Sequence, residues 1–266
     1  MQVLYMDGAG NDFMVLDGRD IQIDYADAAK ALCAMTGADG FMVLDRSQKA
    51  DFRLHFYNSD GSRGEMCGNG SRCICRFAYD LGIAGEEMSM ETDAGLVYGK
   101  RLGENHYRVR LNNPGVVDLN RIPAVHYVEL GNPGLPLALT CIPNLQWEDR
   151  DALRDRAKEL RFHPAFPKGA NVIFYCPLEE TRYRVLAYER GVEDYTLACG
   201  TGCGSLGVAL SALGQLPDGH LICENPGGVL EVTVMTKGET ITELYLEGPA
   251  DVRKVYQWDG VEACSI

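Results

Sequence analysis

The sequence lacks long apolar runs and has too few basic residues for several classes of partner. No stretch of it approaches the roughly 18 consecutive apolar residues that a membrane-spanning helix needs. The opening MQVLYMDGAGND also lacks the basic and apolar segments of a secretory signal. Lys and Arg number 25 against 38 Asp and Glu, and the net charge of −13 argues against nucleic acid or an anionic membrane as a partner. We therefore expect a cytoplasmic protein that acts on a small molecule.

Ten cysteines are present, but their spacing is not that of a metal site. There is no C-x-x-C pair, and the five histidines are scattered along the chain. No metal is therefore predicted. In a chain of 266 residues without export signals, the cysteines are expected to be reduced thiols, most of them small buried residues.

Short runs rich in β-branched and aromatic residues dominate the chain and predict a majority of strands. These runs are FMVLD, FRLHFYN, HYRVRLN, NVIFYC, YRVLAYE, VLEVTVMT and ITELYLEG. Four helices are predicted: from Asp24 toward Gly37, from Cys67 to Gly82, over EDRDALRDRAKELRF, and from Cys199 to Gly214. A terminal glycine suits the left-handed position that follows a helix. The pattern predicts an α+β fold.

One cysteine motif occurs twice in equivalent surroundings. Cys67 and Cys199 each precede Gly-x-Gly, and each is followed by Leu-Gly at offsets 14 and 15. A predicted strand ends at Asn58, nine residues before Cys67, and another ends at Glu189, ten residues before Cys199. Each half thus reads strand, polar loop, Cys-Gly-x-Gly, helix, Leu-Gly, which indicates two copies of one unit.

A cysteine at the start of a helix lies among unsatisfied N–H groups at the positive end of the helix dipole, which favours the thiolate. The glycines that follow let a ligand approach the backbone, whose N–H groups can hold a carboxylate. In the alternative interpretation, each glycine only packs its helix against a strand and each cysteine is a core residue. The repetition of the motif with equal helix lengths favours chemistry.

Two such cysteines can act on opposite faces of one carbon. In racemisation at an amino-acid Cα, one sulfur removes the α-proton as a thiolate and the other delivers a proton to the opposite face as a thiol. The carbanion spreads into the carboxylate, which helix N-terminal N–H groups stabilise. No cofactor is required for this reaction.

Five segments, in order, resemble the diaminopimelate epimerase family: MDGAGNDFMVLD (6–17), FYNSDGSRGEMCGNGSRC (56–73), GNP (131–133), GANVIF (169–174) and ERGVEDYTLACGTGCG (189–204). The resemblance implies two pseudo-symmetric domains, each a β-barrel-like sheet around a central helix, with the active site in the cleft between them. It also implies epimerisation of LL- to meso-diaminopimelate without pyridoxal phosphate, in lysine and peptidoglycan biosynthesis. We expect residues 1–118 to form one domain and 119–266 the other, with the C-terminus free to return to the first.

The resemblance also implies roles for individual residues. Cys67 and Cys199 correspond to the two catalytic bases. The residues that hold the reacting carboxylate correspond to Gly68, Asn69, Gly200 and Thr201. Further substrate-binding positions correspond to Asn11, Asn58, Asn132, Asn171, Glu189 and Arg190. The guanidinium of Arg190 is suited to a bidentate grip on a distal carboxylate, whereas each asparagine taken singly is typical of a turn or a cap.

The sequence departs from the family pattern at four places. Gly134 stands where a histidine that supports the first thiol normally follows Gly-Asn-Pro. The segment from Glu189 to Cys199 is one residue longer than usual, Asp7 replaces a common histidine, and Gly40 replaces a frequent glutamine. These changes affect the expected substrate more than the expected reaction.

Three alternatives stay open at this point. The first is a cofactor-independent racemase of another amino acid, such as histidine, on the same scaffold. The second is acyl transfer by a cysteine nucleophile, which needs a neighbouring base and an oxyanion hole. The third is an amino-acid-binding protein without catalysis. The oligomeric state is also open, with a homodimer as one option.

Overall fold

The computed structural model describes residues 1–64, 66–131, 134–260 and 263–265. The chain divides into two compact units, which are Met1–Val109 with Glu247–Ile266 (unit 1) and Arg110–Leu246 (unit 2). The described ranges contain many more strands than helices, and the predicted α+β class is confirmed. None of the helices in these ranges has the length and apolar character to cross a membrane.

The chain runs from unit 1 into unit 2 and back again. Its first elements are β1 (Gln2–Asp7), β2 (Asp12–Asp17), α1 (Tyr25–Thr36), β3 (Gly40–Asp45), β4 (Phe52–Asn58), β5 (Arg63–Gly64), α2 (Gly68–Asp80), β6 (Glu87–Thr92), β7 (Gly95–Arg101) and β8 (His106–Leu111). Next come β9 (Pro114–Ile122), β10 (Val125–Gly131), β11 (Gly134–Cys141), a 3-10 turn (Trp147–Asp149), α3 (Arg150–Arg161), β12 (Asn171–Pro177), β13 (Arg182–Glu189), β14 (Asp194–Thr196), α4 (Gly200–Ala212), β15 (His220–Asn225), β16 (Gly228–Lys237) and β17 (Thr240–Pro249). The last are β18 (Asp251–Trp258) and β19 (Ala263–Ser265).

The two units repeat one pattern of strand pairing. In unit 1, β1 is antiparallel to β18 and β2, β2 is parallel to β3, β3 is antiparallel to β4, β4 is antiparallel to β5 and parallel to β6, and β6 is antiparallel to β7. In unit 2, β10 is likewise antiparallel to β9 and β11, β11 is parallel to β12, and β12 is antiparallel to β13. Strand β13 is antiparallel to β14 and parallel to β15, and β15 is antiparallel to β16. The repeat predicted from the cysteine motifs is therefore a repeat of the fold.

Strand pairing explains why these units differ from the expected division after residue 118. Asp118 lies within β9 and pairs with Tyr127 of β10, so β9 belongs with the strands of unit 2. Strand β18 pairs with β1 from Gln2 opposite Gln257 to Asp7 opposite Asp251, and the chain end thereby returns to unit 1.

Each unit surrounds one helix with strands. Helix α2 contacts β2, β3 and β7, and α4 contacts β9, β10, β11, β12, β15 and β16. The second glycine of each cysteine motif permits this approach. A Cβ atom at Gly70 would lie 3.0 Å from Met42 Sδ, and one at Gly202 would lie 2.5 Å from Ile173 Cδ1. The packing interpretation therefore applies to these two glycines.

The two central helices also end in the same way. Gly82 and Gly214 follow them with φ values of 66° and 71°. Their N–H groups donate to Tyr79 O at 2.9 Å and to Ser211 O at 3.0 Å, which satisfies carbonyls of the last turn. The left-handed glycines predicted at these helix ends are confirmed, and Gly37 after α1 has the same conformation, with φ 78°.

A second helix packs on the outside of the strands in each unit. Leu32 of α1 is fully buried in a core that includes Phe41 and Val43 of β3. Leu160 of α3 is fully buried in a core that includes Val172 of β12. Each such leucine contributes about 1.5–3 kcal/mol by burial, and α3 is thereby fixed against the strand that begins at Asn171.

Candidate active site

Cys67 is the residue that immediately precedes α2. Its extended backbone, with φ −123° and ψ 123°, makes it the N-cap of the helix, and its carbonyl accepts the first helical hydrogen bond from Ser71 N at 2.7 Å. The half-buried thiol donates to Asn11 Oδ1 at 3.4 Å. Unit 1 therefore places a predicted base beside a predicted substrate-binding amide.

Asp39 fixes the orientation of the Asn11 amide. Asn11 Nδ2 donates to Asp39 Oδ2 at 2.5 Å, and the same oxygen accepts Asp12 N at 3.0 Å. A carboxylate only accepts, so the amide nitrogen of Asn11 must face Asp39 and its oxygen must face Cys67. The parallel pairing of β2 with β3 brings these residues together, since each precedes the start of one of the two strands.

A buried arginine supports the first turn of α2. Arg72 is fully buried and donates through Nη1 to Asn69 Oδ1 at 3.0 Å, through Nη2 to Gly8 O at 3.2 Å, and through Nε to Pro249 O at 3.2 Å. It fixes the side chain of Asn69, a predicted carboxylate-binding residue. Its positive charge adds to that of the helix N-terminus, which favours an anion there.

Cys199 has the equivalent position at the start of α4, with φ −120° and ψ 103°. Its sulfur accepts Gly202 N at 3.3 Å and lies 3.4 Å from Thr201 Oγ1. Unlike Cys67, this thiol is in a buried residue with only 4% of its surface exposed. The sulfur of unit 2 therefore accepts a backbone N–H group in a buried setting.

Asn171 and Glu189 lie beside Cys199. Asn171 Oδ1 accepts Arg190 N at 2.9 Å, which leaves Nδ2 to donate to Glu189 Oε2 at 3.4 Å and to approach Cys199 Sγ at 4.0 Å. The other oxygen of Glu189 accepts Thr196 Oγ1 at 2.6 Å. Three predicted substrate-binding residues thus form one hydrogen-bonded network at the predicted base.

The two units share a carboxylate–amide–sulfur arrangement, but the amides have opposite polarity. Asn11 presents its oxygen to Cys67, whereas Asn171 presents its nitrogen to Cys199. An amide oxygen stabilises an S–H group, and an amide nitrogen stabilises a sulfur that has lost its proton. The two sulfurs therefore face amide groups of opposite hydrogen-bonding character.

The protonation of Cys199 differs from the sequence-based expectation. Burial raises the pKa of the Cys199 thiol well above its ordinary value, and the nearby charge of Glu189 raises it further. The hydrogen bonds from Thr201 and Gly202 lower the pKa, but burial outweighs them. The expectation that the helix start favours the thiolate is wrong for Cys199, because the loss of solvation on burial outweighs the hydrogen bonds that its sulfur receives there. The raised pKa favours the thiol form of Cys199, which is the form that can donate a proton.

The remaining predicted residues lie in different settings. Gly68 and Gly200 are the buried first residues of α2 and α4. Asn58 Nδ2 donates to Ser62 Oγ at 2.9 Å within its own turn, so here the residue acts as a turn residue. Arg190 Nη1 donates to Lys168 O at 3.1 Å. The position predicted for Asn132 lies outside the described residues.

Gly134 has a packing reason for being glycine. A Cβ atom there would lie 2.4 Å from Glu129 Cβ and 3.1 Å from Glu129 Oε2. The carboxylate of Glu129 in turn accepts Tyr127 Oη at 2.5 Å. Glu129 thus fills the space that a histidine at position 134 would need.

The cysteines of the chain differ widely in exposure. Seven of the ten cysteines are buried, Cys67 is half-buried, and Cys141 and Cys264 are exposed. Within the described ranges no three His, Cys, Asp or Glu side chains are grouped to hold a metal ion.

Sequence reasoning missed Asp39, Thr196 and Arg72. A signal for Asp39 was present, because the letters FMVLD occur twice, at 13–17 and 41–45. These two runs form the parallel strands β2 and β3, and Asn11 and Asp39 lie just before them. Arg72 gave no signal, because a charged residue in a helix is normally exposed.

Known proteins resemble this chain over nearly its whole length. The family described as diaminopimelate epimerase matches residues 3–116 and 130–252. The diaminopimelate epimerase of Aquifex aeolicus is 34% identical, with 97% of this chain and 96% of that protein covered. The diaminopimelate epimerase of Chlorobaculum tepidum is also 34% identical, with 95% and 98% covered.

A solved structure shares the fold at much lower identity. A phenazine biosynthesis protein of the PhzF family from Bacillus anthracis superposes with a TM-score of 0.71 at 16% identity, covering 96% of this chain and 97% of that one. The two proteins therefore share the arrangement of their helices and strands. On the family match and the relatives at 34% identity, the chain belongs to the diaminopimelate epimerase family.

Proposed function

We propose that the protein epimerises LL- to meso-diaminopimelate, with Cys67 and Cys199 as its two bases. The observation that carries the proposal is the cysteine that caps the central helix of each unit, beside an amide that a carboxylate holds in place. Membership of the family supplies the substrate. The reaction is an isomerisation at one Cα and needs no cofactor.

Each turnover moves one proton off the Cα and one proton onto it. The thiolate of one cysteine removes the α-proton, and the electron pair of the C–H bond spreads into the carboxylate. The N–H groups at the helix starts, Gly68 and Asn69 in α2 and Gly200 and Thr201 in α4, are proposed to stabilise that charge. The thiol of the other cysteine then delivers its proton to the opposite face and becomes the thiolate.

The surroundings of the sulfurs suit one assignment of acid and base for the forward direction. Cys67 gains a proton when it acts as base, and Asn11 Oδ1 can accept its new S–H group. Cys199 begins as a thiol, and after donation its thiolate keeps Gly202 N and, more distantly, Asn171 Nδ2 as donors. We therefore assign the base to Cys67 and the acid to Cys199 for one enantiomer, with the roles reversed for the other.

Charged groups of unit 2 are proposed to recognise the rest of the substrate. Glu189 lies beside Asn171 and is suited to the α-ammonium group, and Arg190 is suited to the distal carboxylate. A small amino acid as substrate agrees with the net charge of −13, which disfavours nucleic acid and anionic membranes as partners. We propose a cytoplasmic location, where the ten cysteines of the chain would be kept reduced.

A racemase of another amino acid is the second candidate, favoured by Gly134 and by the longer segment after Arg190. A screen of L-amino acids and diaminopimelate isomers for loss of optical purity separates the two candidates. The proposal expects turnover of LL-diaminopimelate by the native chain, none by Cys67→Ala or Cys199→Ala, and full turnover by Cys141→Ala, whose thiol is exposed. Turnover of another amino acid alone would contradict the substrate, and an active Cys67→Ala variant would contradict the mechanism.

A further inference from the structure

The segment that carries Arg190 has an unusual backbone. It follows β13 and leads into β14, and two of its residues, Gly191 with φ 91° and Glu193 with φ 56°, have left-handed conformations. For Glu193, which has a Cβ atom, this conformation is unfavourable, so surrounding contacts must stabilise it.

The Glu193 carboxylate provides such contacts. Its Oε1 atom accepts Arg161 Nη2 at 2.7 Å, Arg161 Nε at 3.1 Å and Gly191 N at 3.0 Å. The backbone of Glu193 is held as well, since its N–H donates to Glu189 O at 2.8 Å and its carbonyl accepts Tyr188 Oη at 2.7 Å. One carboxylate oxygen thus closes the turn and joins it to helix α3.

Arg161 also supports the segment that precedes Asn171. It is the last residue of α3 and is only 9% exposed. Gly169 has φ 67°, and a Cβ atom there would lie 1.8 Å from Arg161 Nη1, so the guanidinium lies directly against this glycine. The carbonyl of Arg161 accepts Ala170 N at 3.3 Å.

Arg190 is joined to both segments that Arg161 supports. Its backbone N–H donates to Asn171 Oδ1 at 2.9 Å, and its Nη1 donates to Lys168 O at 3.1 Å. The Arg161–Glu193 ion pair therefore lies behind two segments that carry candidate substrate-binding groups, without itself being one of those groups.

We propose that the Arg161–Glu193 ion pair is a positioning device that sets where Arg190 can reach a distal carboxylate, and that Glu193 is thereby a specificity-determining residue. The inference rests on the proposed function. The closed turn restricts the backbone of Arg190, so less conformational entropy is lost when the guanidinium binds a carboxylate. Without Glu193, the turn loses the acceptor for Gly191 N, and the Arg190 guanidinium samples more positions.

The chain offers a matched control next to Glu193. Asp194 Oδ1 accepts Arg154 Nη1 at 2.7 Å, which is a second ion pair between α3 and the same segment. The Gly191 N–H donates to Glu193 Oε1, whereas Asp194 Oδ1 accepts Tyr195 N in addition to Arg154 Nη1. The Asp194→Asn variant therefore removes a similar ion pair without opening the turn.

The experiment compares Glu193→Gly, Glu193→Gln and Asp194→Asn with the native chain. For Glu193→Gly we expect KM for LL-diaminopimelate to rise about tenfold with kcat within about threefold, since a less restricted Arg190 loses more conformational entropy on binding the distal carboxylate. The midpoint of its thermal unfolding should stay within about 3 °C of the native value, because glycine favours the left-handed backbone and this gain offsets the loss of the ion pair. Glu193→Gln keeps an acceptor oxygen and should show a smaller rise in KM, and Asp194→Asn should show none.

Hydrogen exchange gives a readout that does not depend on activity. The amide of Gly191 should exchange at least about tenfold faster in Glu193→Gly and at the native rate in Asp194→Asn, since only the first variant loses its acceptor. An unchanged KM in Glu193→Gly with faster exchange would overturn the specificity role. An unchanged exchange rate would overturn the positioning role itself. A native chain that does not turn over LL-diaminopimelate would instead refute the proposed function, while the exchange result would still test the device.

Discussion

Replacing Asp39 by alanine is expected to lower catalysis without touching either cysteine. The change removes the oxygen that accepts Asn11 Nδ2 at 2.5 Å and Asp12 N at 3.0 Å. Hydrogen bonds to charged groups contribute about 1.5–3 kcal/mol, and the exposure of Asp39 reduces this to about 1–1.5 kcal/mol by solvent screening. If this free energy holds the Asn11 amide in its productive orientation, kcat/KM should fall about five- to thirteenfold, at 1.36 kcal/mol for each factor of ten.

The Asp39→Asn variant separates amide orientation from charge. A single oxygen, Asp39 Oδ2, accepts both hydrogen bonds, so an amide oxygen at the same place can accept both. Steady-state kinetics with LL-diaminopimelate should therefore give near-native values for Asp39→Asn and the predicted loss for Asp39→Ala. An equal loss in both variants would refute the orientation argument and attribute the effect to the negative charge.

Three further predictions concern substrate recognition, packing and stability. Arg190→Ala should lose about 2–4 kcal/mol of binding or transition-state stabilisation for diaminopimelate, as for a truncated charge pair, and a much smaller loss in kcat/KM would favour another amino acid as substrate. Gly134→His should lower the free energy of unfolding in urea by about 1–3 kcal/mol through overpacking, because its Cβ would lie 2.4 Å from Glu129 Cβ. The double variant with Glu129→Gly should regain part of the lost stability, and a Gly134→His variant as stable as the native chain would refute the packing argument. Burial raises the pKa of Cys33 to about 12, so between about pH 8.5 and 10 only the unfolded chain releases this proton and stability falls by about 2 kcal/mol. Cys33→Ala should remove that share of the alkaline loss, and an unchanged pH slope in urea unfolding would contradict it.

Local sequence patterns predicted the elements that carry the cysteines. The Cys-Gly-x-Gly and Leu-Gly motifs mark the starts and ends of α2 and α4, because an N-cap and a left-handed glycine are requirements of the backbone itself. Such requirements act within a few residues and are visible in the letters. The class of the fold followed from the same local signals.

Features that depend on distant residues could not be read in the same way. The contact between Asn11 and Asp39 arises only after β2 and β3 pair in parallel across 28 positions of the chain. The protonation of Cys199 depends on burial by residues from several strands, which outweighs the local effect of the helix start. The boundary between the units depends on the strand with which β9 pairs. Because β9 pairs with β10, it belongs to unit 2.

Deuterium incorporation in the first turnovers shows whether two cysteines act on opposite faces of one Cα. LL-diaminopimelate is incubated with the native chain in deuterated water, and the label at the epimerised carbon is measured in both product and recovered substrate. With two bases, we expect one deuterium in nearly every meso product molecule and almost none in the substrate, because the acid on the far face has exchanged with solvent while the base holds the abstracted proton. Equal early labelling of substrate and product would instead indicate a single base that serves both faces, and would refute the two-base mechanism.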